Sequence, residues 1–305
     1  MALDPVTAQI NELVQAVRAD APPPTVPAFR EAWAQLIAQV GTTETHCKVE
    51  PIEVGDLPAM SFTPPSCDDG LVVWFHGGGW VIGSPATAVN EVDRLAVAAR
   101  CRIVSVDYRL APEHPFPASQ LDGITAAAWC QEHAADLDAD RRCVAVGGDS
   151  AGGNLAAVAA QHVAGLCAQI LVYPGCDLSA ERRASFEHEK GYLLDAEGIE
   201  FFFQQVGTAD LHDPLVSPMF ADSATLAATP PALVITAEYD PLRAECAEYA
   251  GRLRDAGVAV DELHFDRQMH GFFSMPEVLE DARLAIERAA SFLGDRFAAA
   301  RGSTT

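Results

Sequence analysis

A serine flanked by glycines is the strongest chemical signal in the sequence. It lies in Gly148-Asp149-Ser150-Ala151-Gly152-Gly153, after the apolar run Val144-Ala145-Val146 and before a segment with helical character. Gly-x-Ser-x-Gly between a strand and a helix is typical of a nucleophile elbow, in which a tight turn exposes the serine hydroxyl and the helix N-terminus offers free N–H groups to an anion. A phosphate-binding turn is the alternative, but the sequence contains neither Gly-x-x-x-x-Gly-Lys-Ser/Thr nor Gly-x-Gly-x-x-Gly.

A run of glycines follows another apolar segment. His76-Gly77-Gly78-Gly79-Trp80 comes directly after residues 71–75, and backbone N–H groups in such a run can approach a carbonyl oxygen on which charge develops. A flexible surface loop is the alternative, which is disfavoured because ligands bind at the carboxyl ends of strands in open α/β sheets. We expect His76 to orient this loop through hydrogen bonds rather than to act as a base.

A serine nucleophile needs a base, and the base needs an acid that orients it. The histidines downstream of Ser150 are His162, His188, His212, His264 and His270. His270 is the best candidate because it lies in a loop between a predicted strand and a predicted helix. The acids that follow strands are Asp177, Glu238 and Asp240, of which we favour Asp240 because its loop follows the strand at 232–236. The other two acids stay open at this point.

Outside these motifs the chain alternates between apolar runs and helical patterns. The predicted strands lie at 71–75, 102–106, 143–146, 168–173, 232–236 and 258–265. The predicted helices lie near 86–99, 117–135, 151–164, 241–256 and 277–299. Such alternation indicates parallel βαβ units in one sheet that helices cover on both faces.

Two segments interrupt that alternation, and we expect them to form a cap over the carboxyl edge of the sheet. Residues 1–45 contain two helical patterns separated by Ala21-Pro22-Pro23-Pro24. Residues 181–220 form an insertion with one clear helix, capped by Asp195 and apolar along one face. Residues 46–180 and 221–305 then make up the two parts of the α/β core.

Composition excludes several classes of function. The 305 residues carry 43 acidic and 20 basic side chains, a formal net charge of −23, which disfavours binding to nucleic acids and to anionic membrane surfaces. The most apolar long stretch, 155–173, is interrupted by polar residues and predicts a helix and a strand rather than a membrane span. The N-terminus has no basic head before an apolar run, which predicts a cytoplasmic protein without a signal peptide. The eight cysteines include no Cys-x-x-Cys pair, so we expect reduced thiols and no structural zinc site.

Five motifs in one order resemble those of the hormone-sensitive-lipase-like carboxylesterases, known in bacteria as family IV, a branch of the α/β-hydrolase superfamily. The resemblance covers about residues 70–275. The motifs are the glycine run at 76–80, Asp-Tyr-Arg-Leu-Ala-Pro-Glu-His-Pro-Phe-Pro-Ala at 107–118, the elbow at 148–153, Glu-Tyr-Asp-Pro-Leu at 238–242 and His-Gly-Phe at 270–272. The resemblance implies an α/β-hydrolase fold, with a mostly parallel eight-stranded sheet flanked by helices and a helical cap.

The resemblance also assigns roles to residues. It implies that Ser150 is the nucleophile, Asp240 the acid and His270 the base, with an oxyanion hole formed by the N–H groups of Gly78, Gly79 and Ala151. The substrate it implies is a small-molecule ester with a short to medium acyl chain, and no cofactor or metal is expected. Members of the family commonly carry cis prolines in the second motif, so we expect cis bonds at Ala111–Pro112 and Phe116–Pro117.

Substrate-contacting residues are predicted from size and place. The bulky side chains of Trp80, Phe202 and Phe203 are expected to limit the acyl site, whereas Cys176 is small and would widen it. The alternative for the two phenylalanines is that their helix face packs only against the N-terminal helices and does not meet the substrate. One departure from the family is that an acidic pair usually follows Pro-Leu, where this chain reads Arg243-Ala244-Glu245.

Three other functions are alternatives to an esterase. An amidase or deacetylase would use the same triad. A silent small-molecule receptor on the same scaffold is disfavoured because all three triad positions are present, and a nicotinamide-linked oxidoreductase lacks its glycine motif.

An exposed last strand at 258–265 could pair edge to edge with a second copy, which would give a homodimer.

Overall fold

The computed structural model describes residues 2–19, 25–42, 44–184, 192–207 and 210–302. The helix breaker predicted at 21–24 and His188 lie outside these residues. Within them, no helix combines the length and the apolar character that a membrane span needs.

Eight strands form one sheet. They are β1 (Lys48–Val54), β2 (Leu57–Thr63), β3 (Leu71–Phe75), β4 (Arg102–Val106), β5 (Val144–Asp149), β6 (Ala168–Val172), β7 (Ala232–Tyr239) and β8 (Val260–Met269). Their order is β1-β2-β4-β3-β5-β6-β7-β8, with β2 antiparallel to both of its neighbours and all pairs from β4 to β8 parallel. This confirms the mostly parallel eight-stranded sheet, and each of the six strands predicted from apolar runs is present within a few residues of its predicted bounds.

Ten α-helices accompany the sheet in the described part of the chain. They are α1 (Pro5–Ala19), α2 (Val26–Val40), α3 (Val89–Ala99), α4 (Ala118–Glu132), α5 (Ala151–His162), α6 (Ala180–Ala184), α7 (Ala196–Val206), α8 (Ser223–Ala227), α9 (Arg243–Asp255) and α10 (Glu280–Gly302). Short 3₁₀ helices occur at Ala134–Leu137, Arg141–Cys143, Pro218–Phe220 and Phe272–Ser274. The short helices α6 and α8 were not predicted.

The sheet is buried on both faces, and its central strand β3 is apolar at every position. In β3, Val72 and Trp74 belong to one apolar cluster with residues of α3 and α10, while Val73 and Phe75 belong to another with residues of α4, α5 and α9. Successive side chains of a strand point to opposite faces, so a continuous apolar run requires a helical layer on each side. This double cover makes the sheet a rigid base for the loops at its carboxyl edge.

Four of those loops carry the predicted site residues. β3 leads into the glycine run at 76–80, β5 into Ser150, β7 into Asp240 and β8 into His270. Since these strands are parallel, their carboxyl ends meet at one edge of the sheet. Two of the three prolines in the second motif are preceded by cis bonds, Ala111–Pro112 and Phe116–Pro117, as predicted.

Helices α2 and α7 meet beside that edge. Asp195 caps α7, since its side chain accepts a hydrogen bond from Gly198 N–H at 2.9 Å, as predicted. Phe29 of α2 packs against Phe201 and Phe202 of α7, with ring centroids 5.3 and 5.4 Å apart. Through these rings the N-terminal segment and the insertion share one apolar contact.

All eight cysteines are free thiols. Six are buried, Cys167 is half-buried and Cys67 is exposed in the connection between β2 and β3.

Candidate active site

Ser150 sits at a sharp turn between β5 and α5. Its backbone has φ 55° and ψ −119°, a conformation that a side-chain-bearing residue rarely adopts. The turn is fixed from β6, since Ser150 N–H donates to the Val172 carbonyl at 2.8 Å. A Cβ on Gly152 would lie 1.9 Å from the Phe75 carbonyl oxygen, so only glycine permits α5 to start this close to β3. The local structure is the elbow that the motif predicted.

A continuous hydrogen-bonded chain links Ser150, His270 and Asp240. Ser150 Oγ lies 2.9 Å from His270 Nε2, and His270 Nδ1 lies 2.8 Å from Asp240 Oδ2. The second oxygen, Asp240 Oδ1, accepts a hydrogen bond from Leu242 N–H at 2.8 Å. The arrangement fits an imidazole that carries its proton on Nδ1 and leaves Nε2 free to accept the serine proton.

His270 is held by more than its carboxylate. Its ring packs against Tyr173 with centroids 4.4 Å apart, and its backbone N–H donates to the Tyr239 carbonyl at 3.2 Å. The imidazole and the Asp240 carboxylate are 8% and 0% exposed, so water competes little for their hydrogen bond.

The other two candidate acids are engaged elsewhere. Glu238 lies 2.6 Å from Arg243 Nη1 and 3.1 Å from His264 Nε2. Asp177 pairs with Arg182 at 3.2 Å. The structure therefore brings Asp240, and neither of these two carboxylates, into contact with His270. Among the described residues, no group of three or more histidines, cysteines and acids is arranged to hold a metal ion.

The glycine run forms a tight loop beside the elbow. Gly78, Gly79 and Trp80 all have positive φ, at 122°, 59° and 62°, and the N–H groups of Val81 and Ile82 fold back to the Gly78 carbonyl at 3.0 and 2.9 Å. We call residues 76–82 the oxyanion loop. Within the described part of the chain, the N–H groups of Gly78 and Gly79 donate to no protein acceptor, and neither does that of Ala151 at the first turn of α5. These three donors remain available to a ligand.

His76 supports the loop from beneath. Its ring stacks on Tyr108 at 4.3 Å and its Nδ1 lies 2.7 Å from the Gly77 carbonyl oxygen. Complete burial lowers the pKa of His76 to about 4, so the imidazole is neutral and its Nδ1–H donates to that carbonyl. This matches the expectation that His76 orients the loop.

Asp149 fixes the same loop from the elbow, a role that the sequence analysis missed. Its Oδ1 accepts a hydrogen bond from Gly77 N–H at 2.7 Å, and a Cβ on Gly77 would lie 2.3 Å from Oδ2. Burial raises the pKa of Asp149 to about 6, and the nearby Gly77 N–H and His270 work in the opposite direction. The signal in the sequence was an acid at the variable position before the serine.

The predicted substrate contacts divide into two groups. Trp80 and Phe203 line a narrow cavity beside the oxyanion loop, with ring centroids 6.5 Å apart, and Ser119 and Gln120 add polar groups to its wall. Phe202 lies over Gly79, where a Cβ would come within 2.3 Å of its ring, and it stacks on Phe29. Cys176 does not line this cavity.

The Cys176 region is instead tied to α9. The Cys176 thiol lies beside that of Cys246. The backbone N–H of Cys176 donates to Glu245 Oε1 at 2.6 Å. Asp177 N–H donates to the same oxygen at 3.2 Å. Burial outweighs these N–H groups and raises the pKa of Glu245 to about 8. Glu245 thus anchors the segment after β6 that adjoins Ser150.

Comparison with known proteins agrees with this geometry. A family model described as the alpha/beta hydrolase fold matches residues 72–274. The chain belongs to this family. An arylesterase of Saccharolobus solfataricus is 34% identical over 268 residues, which cover 84% of this chain and 86% of the relative. The carboxylesterase NlhH of Mycobacterium tuberculosis is 39% identical over 248 residues, 78% of each chain. A hyperthermophilic esterase of Pyrobaculum calidifontis superposes with a TM-score of 0.88 at 35% identity, covering 97% of this chain and 99% of its own.

These matches confirm that the α/β-hydrolase motifs identify the superfamily and its esterase branch. The matched span of 72–274 begins within β3 and ends beyond His270, so it contains all five motifs. Helices α1 and α2 precede it.

We expect Glu245→Gln to flatten the pH dependence of stability. The folded state keeps a proton that the unfolded chain releases above about pH 4.5, so the stabilisation from this group is complete below that pH and is lost as the pH rises towards 8. A glutamine amide oxygen can accept the same N–H groups but does not ionise. The free energy of unfolding, measured by urea denaturation, should therefore fall less between pH 5 and pH 8 in E245Q than in the wild type.

The exposed Glu287 on α10 provides the matched control, because Glu287→Gln removes a carboxylate that water already solvates. An identical pH dependence in E245Q and the wild type would show that Glu245 does not hold a proton in the folded state.

Proposed function

We propose that the protein is a serine carboxylesterase that hydrolyses short- to medium-chain acyl esters through an acyl-enzyme. The observation that carries this proposal is the chain from Ser150 Oγ through His270 to Asp240, with donor–acceptor distances of 2.9 and 2.8 Å, next to three N–H donors that bond no acceptor among the described residues. The esterases among its relatives support the same reaction.

The first half of the reaction forms the acyl-enzyme. Ser150 Oγ attacks the ester carbonyl carbon while its proton passes to His270 Nε2, and the carbonyl oxygen becomes an oxyanion. The N–H groups of Gly78, Gly79 and Ala151 would stabilise that oxyanion, each by an amount on the order of 3–4 kcal/mol of barrier. The tetrahedral intermediate collapses as His270 donates its Nε2 proton to the leaving alkoxide, which departs as the alcohol.

The second half regenerates the enzyme. A water molecule gives a proton to His270 Nε2 and attacks the acyl carbon, and the second tetrahedral intermediate expels Ser150 Oγ as it regains that proton. Asp240 holds the Nδ1 proton of His270 and stabilises the imidazolium. Leu242 N–H keeps the carboxylate in register for that hydrogen bond.

The cavity beside the oxyanion loop is proposed to take the acyl chain. Trp80 and Phe203 form its aromatic walls, and Phe203 comes from α7 of the cap. We propose that residues 1–45 and 181–220 work as one cap, which would leave room for a short chain and obstruct a long one. Each methylene that fits the apolar slot contributes about 0.8 kcal/mol.

A homodimer and a cytoplasmic location stay predictions from the sequence. β8 is an edge strand of the described sheet, which leaves its outer side for a second copy to pair with.

Ser150→Ala tests the function. Loss of the nucleophile should reduce turnover of p-nitrophenyl butyrate on the order of a millionfold. Circular dichroism and the melting temperature should be unchanged, and the exposed Ser223→Ala on α8 should keep wild-type activity. A variant that retains more than roughly a hundredth of the activity would rule out Ser150 as the nucleophile. A p-nitroanilide of the same acid, assayed in parallel, separates an esterase from an amidase.

Asp240→Asn should lower kcat by about ten-thousandfold, because an asparagine no longer enforces the productive tautomer of His270. Glu238→Gln is the matched control, since that acid bonds Arg243 and His264 instead. Steady-state kinetics on one ester decide the matter, and a greater loss in E238Q than in D240N would mean that the acid is misassigned.

Phe203→Ala should shift the chain-length optimum to longer esters while turnover of the acetate is kept. The change removes an aromatic wall of the cavity opposite Trp80. The measurement is kcat/KM on p-nitrophenyl esters of graded length. Phe201→Ala is the control, because that ring lies on the same helix but packs on Phe29. If both variants keep the wild-type profile, Phe203 does not limit the acyl site.

A further inference from the structure

Arg30 of α2 reaches from the cap to the backbone beside the oxyanion loop. Its Nε donates to the Val81 carbonyl at 2.8 Å and its Nη2 donates to the Ala111 carbonyl at 3.0 Å. The remaining guanidinium donors hold both carboxylate oxygens of Glu113, at 2.8 and 2.7 Å. One side chain thus joins three separate stretches of the chain.

Both carbonyls belong to residues whose N–H groups shape the loop. Val81 N–H donates to the Gly78 carbonyl at 3.0 Å, and Ala111 N–H donates to the Trp80 carbonyl at 2.9 Å. Because N–H and C=O flank a residue on either side, fixing each carbonyl restrains the segment that grips Gly78 and Trp80. At the other end of the loop, Asp149 holds Gly77 N–H. The loop is therefore fixed by the core on one side and by the cap on the other.

A surface ion pair alone does not account for this geometry. Arg30 and Glu113 are 32% and 54% exposed, and exposed pairs contribute only about 0–1 kcal/mol. The two backbone carbonyls are a different matter, since only the planar, five-donor guanidinium can bond two carbonyls and a carboxylate at once.

The neighbouring residue reinforces the same contact. Phe29 stacks on Phe202, and Phe202 covers Gly79. One turn of α2 thus reaches the oxyanion loop twice, by hydrogen bonds through Arg30 and by aromatic packing through Phe29.

We propose that Arg30 is a positioning residue that keeps Gly78 and Gly79 aligned for the oxyanion while α2 is seated on the core. The inference rests on the proposed function and adds a coupling to it. Because Arg30 belongs to α2, the alignment of the oxyanion loop depends on how that helix is seated on the core. The N-terminal helix then belongs to the catalytic apparatus as well as to the substrate enclosure.

The test compares Arg30→Met with Arg94→Met. Arg94 is a matched control because it is also 32% exposed and also bonds a glutamate through two nitrogens, but it does so on α3 with Glu277. With p-nitrophenyl acetate we expect kcat of R30M to fall about ten- to hundredfold, with KM within about twofold, because a misplaced oxyanion donor weakens the transition state alone. R94M should keep wild-type kcat.

A tetrahedral-adduct inhibitor supplies the readout that a loss of stability would not give. An alkyl trifluoromethyl ketone adds to a serine nucleophile and leaves an oxyanion, so its Ki should rise at least tenfold in R30M. The control compound is the corresponding secondary alcohol, in which CH–OH replaces the ketone carbonyl, so that no oxyanion can form. Its Ki should stay within about twofold. Equal changes for both compounds, or a kcat of R30M equal to that of R94M, would overturn the proposal.

Two further variants keep the test decisive. Glu113→Gln removes the ion pair but leaves both carbonyl bonds, so its loss of kcat should be smaller than that of R30M, and an equal loss would overturn the role of the carbonyls. If R30M does not fold, Arg30→Lys gives the answer, since a lysine cannot bond all three groups and should lose at least fivefold in kcat. An R30K with wild-type kcat and Ki would refute the clamp. Failure of the proposed function would instead appear as a wild type without esterase activity or an active S150A.

Discussion

The left-handed backbone at Ser150 is the constraint on which the remaining geometry depends. A serine in that region costs about 1–3 kcal/mol, so the surroundings must hold it there. They do so by a hydrogen bond from Ser150 N–H to β6 and by the close approach of α5 to β3, where Gly152 leaves no room for a side chain. Such contacts hold only if the strands themselves do not move, which explains the value of a sheet that is buried on both faces. The position of the Ser150 hydroxyl relative to His270 and to the oxyanion loop therefore depends on this turn.

Two buried aspartates divide the work around that serine. Asp240 orients the imidazole, whereas Asp149 holds Gly77 and with it the start of the oxyanion loop. In the proposed mechanism, the proton acceptor and the oxyanion donors are thus each fixed by a separate carboxyl group. Because both lie at strand ends of one rigid sheet, the distance between the base and the donors is set by the fold and not by the substrate.

The sequence predicted what local patterns can carry. Apolar runs located six strands and the motifs located Ser150, Asp240 and His270, because elbow, glycine run and strand ends are each encoded within a few residues. β1 and β2 escaped the analysis, since Lys48–Val54 alternates with charges and contains Pro51, and so lacks the continuous apolar run of a central strand. Contacts between distant segments were also out of reach. Arg30 lies 51 residues from Val81, and Glu245 lies 69 from Cys176, so no spacing in the sequence reveals either bond. The position of Cys176 after β6 likewise did not indicate that its thiol points towards Cys246.

The placement of the thiols has a practical consequence. Cys67 is the one exposed cysteine of the eight, and it lies before β3, at the amino end of a strand whose carboxyl end leads into the oxyanion loop. The five residues of β3 separate the two ends by about 17 Å. A maleimide resin that couples at Cys67 would therefore immobilise the molecules in one orientation, with the mouth of the active site turned away from the support and open to the flowing solution.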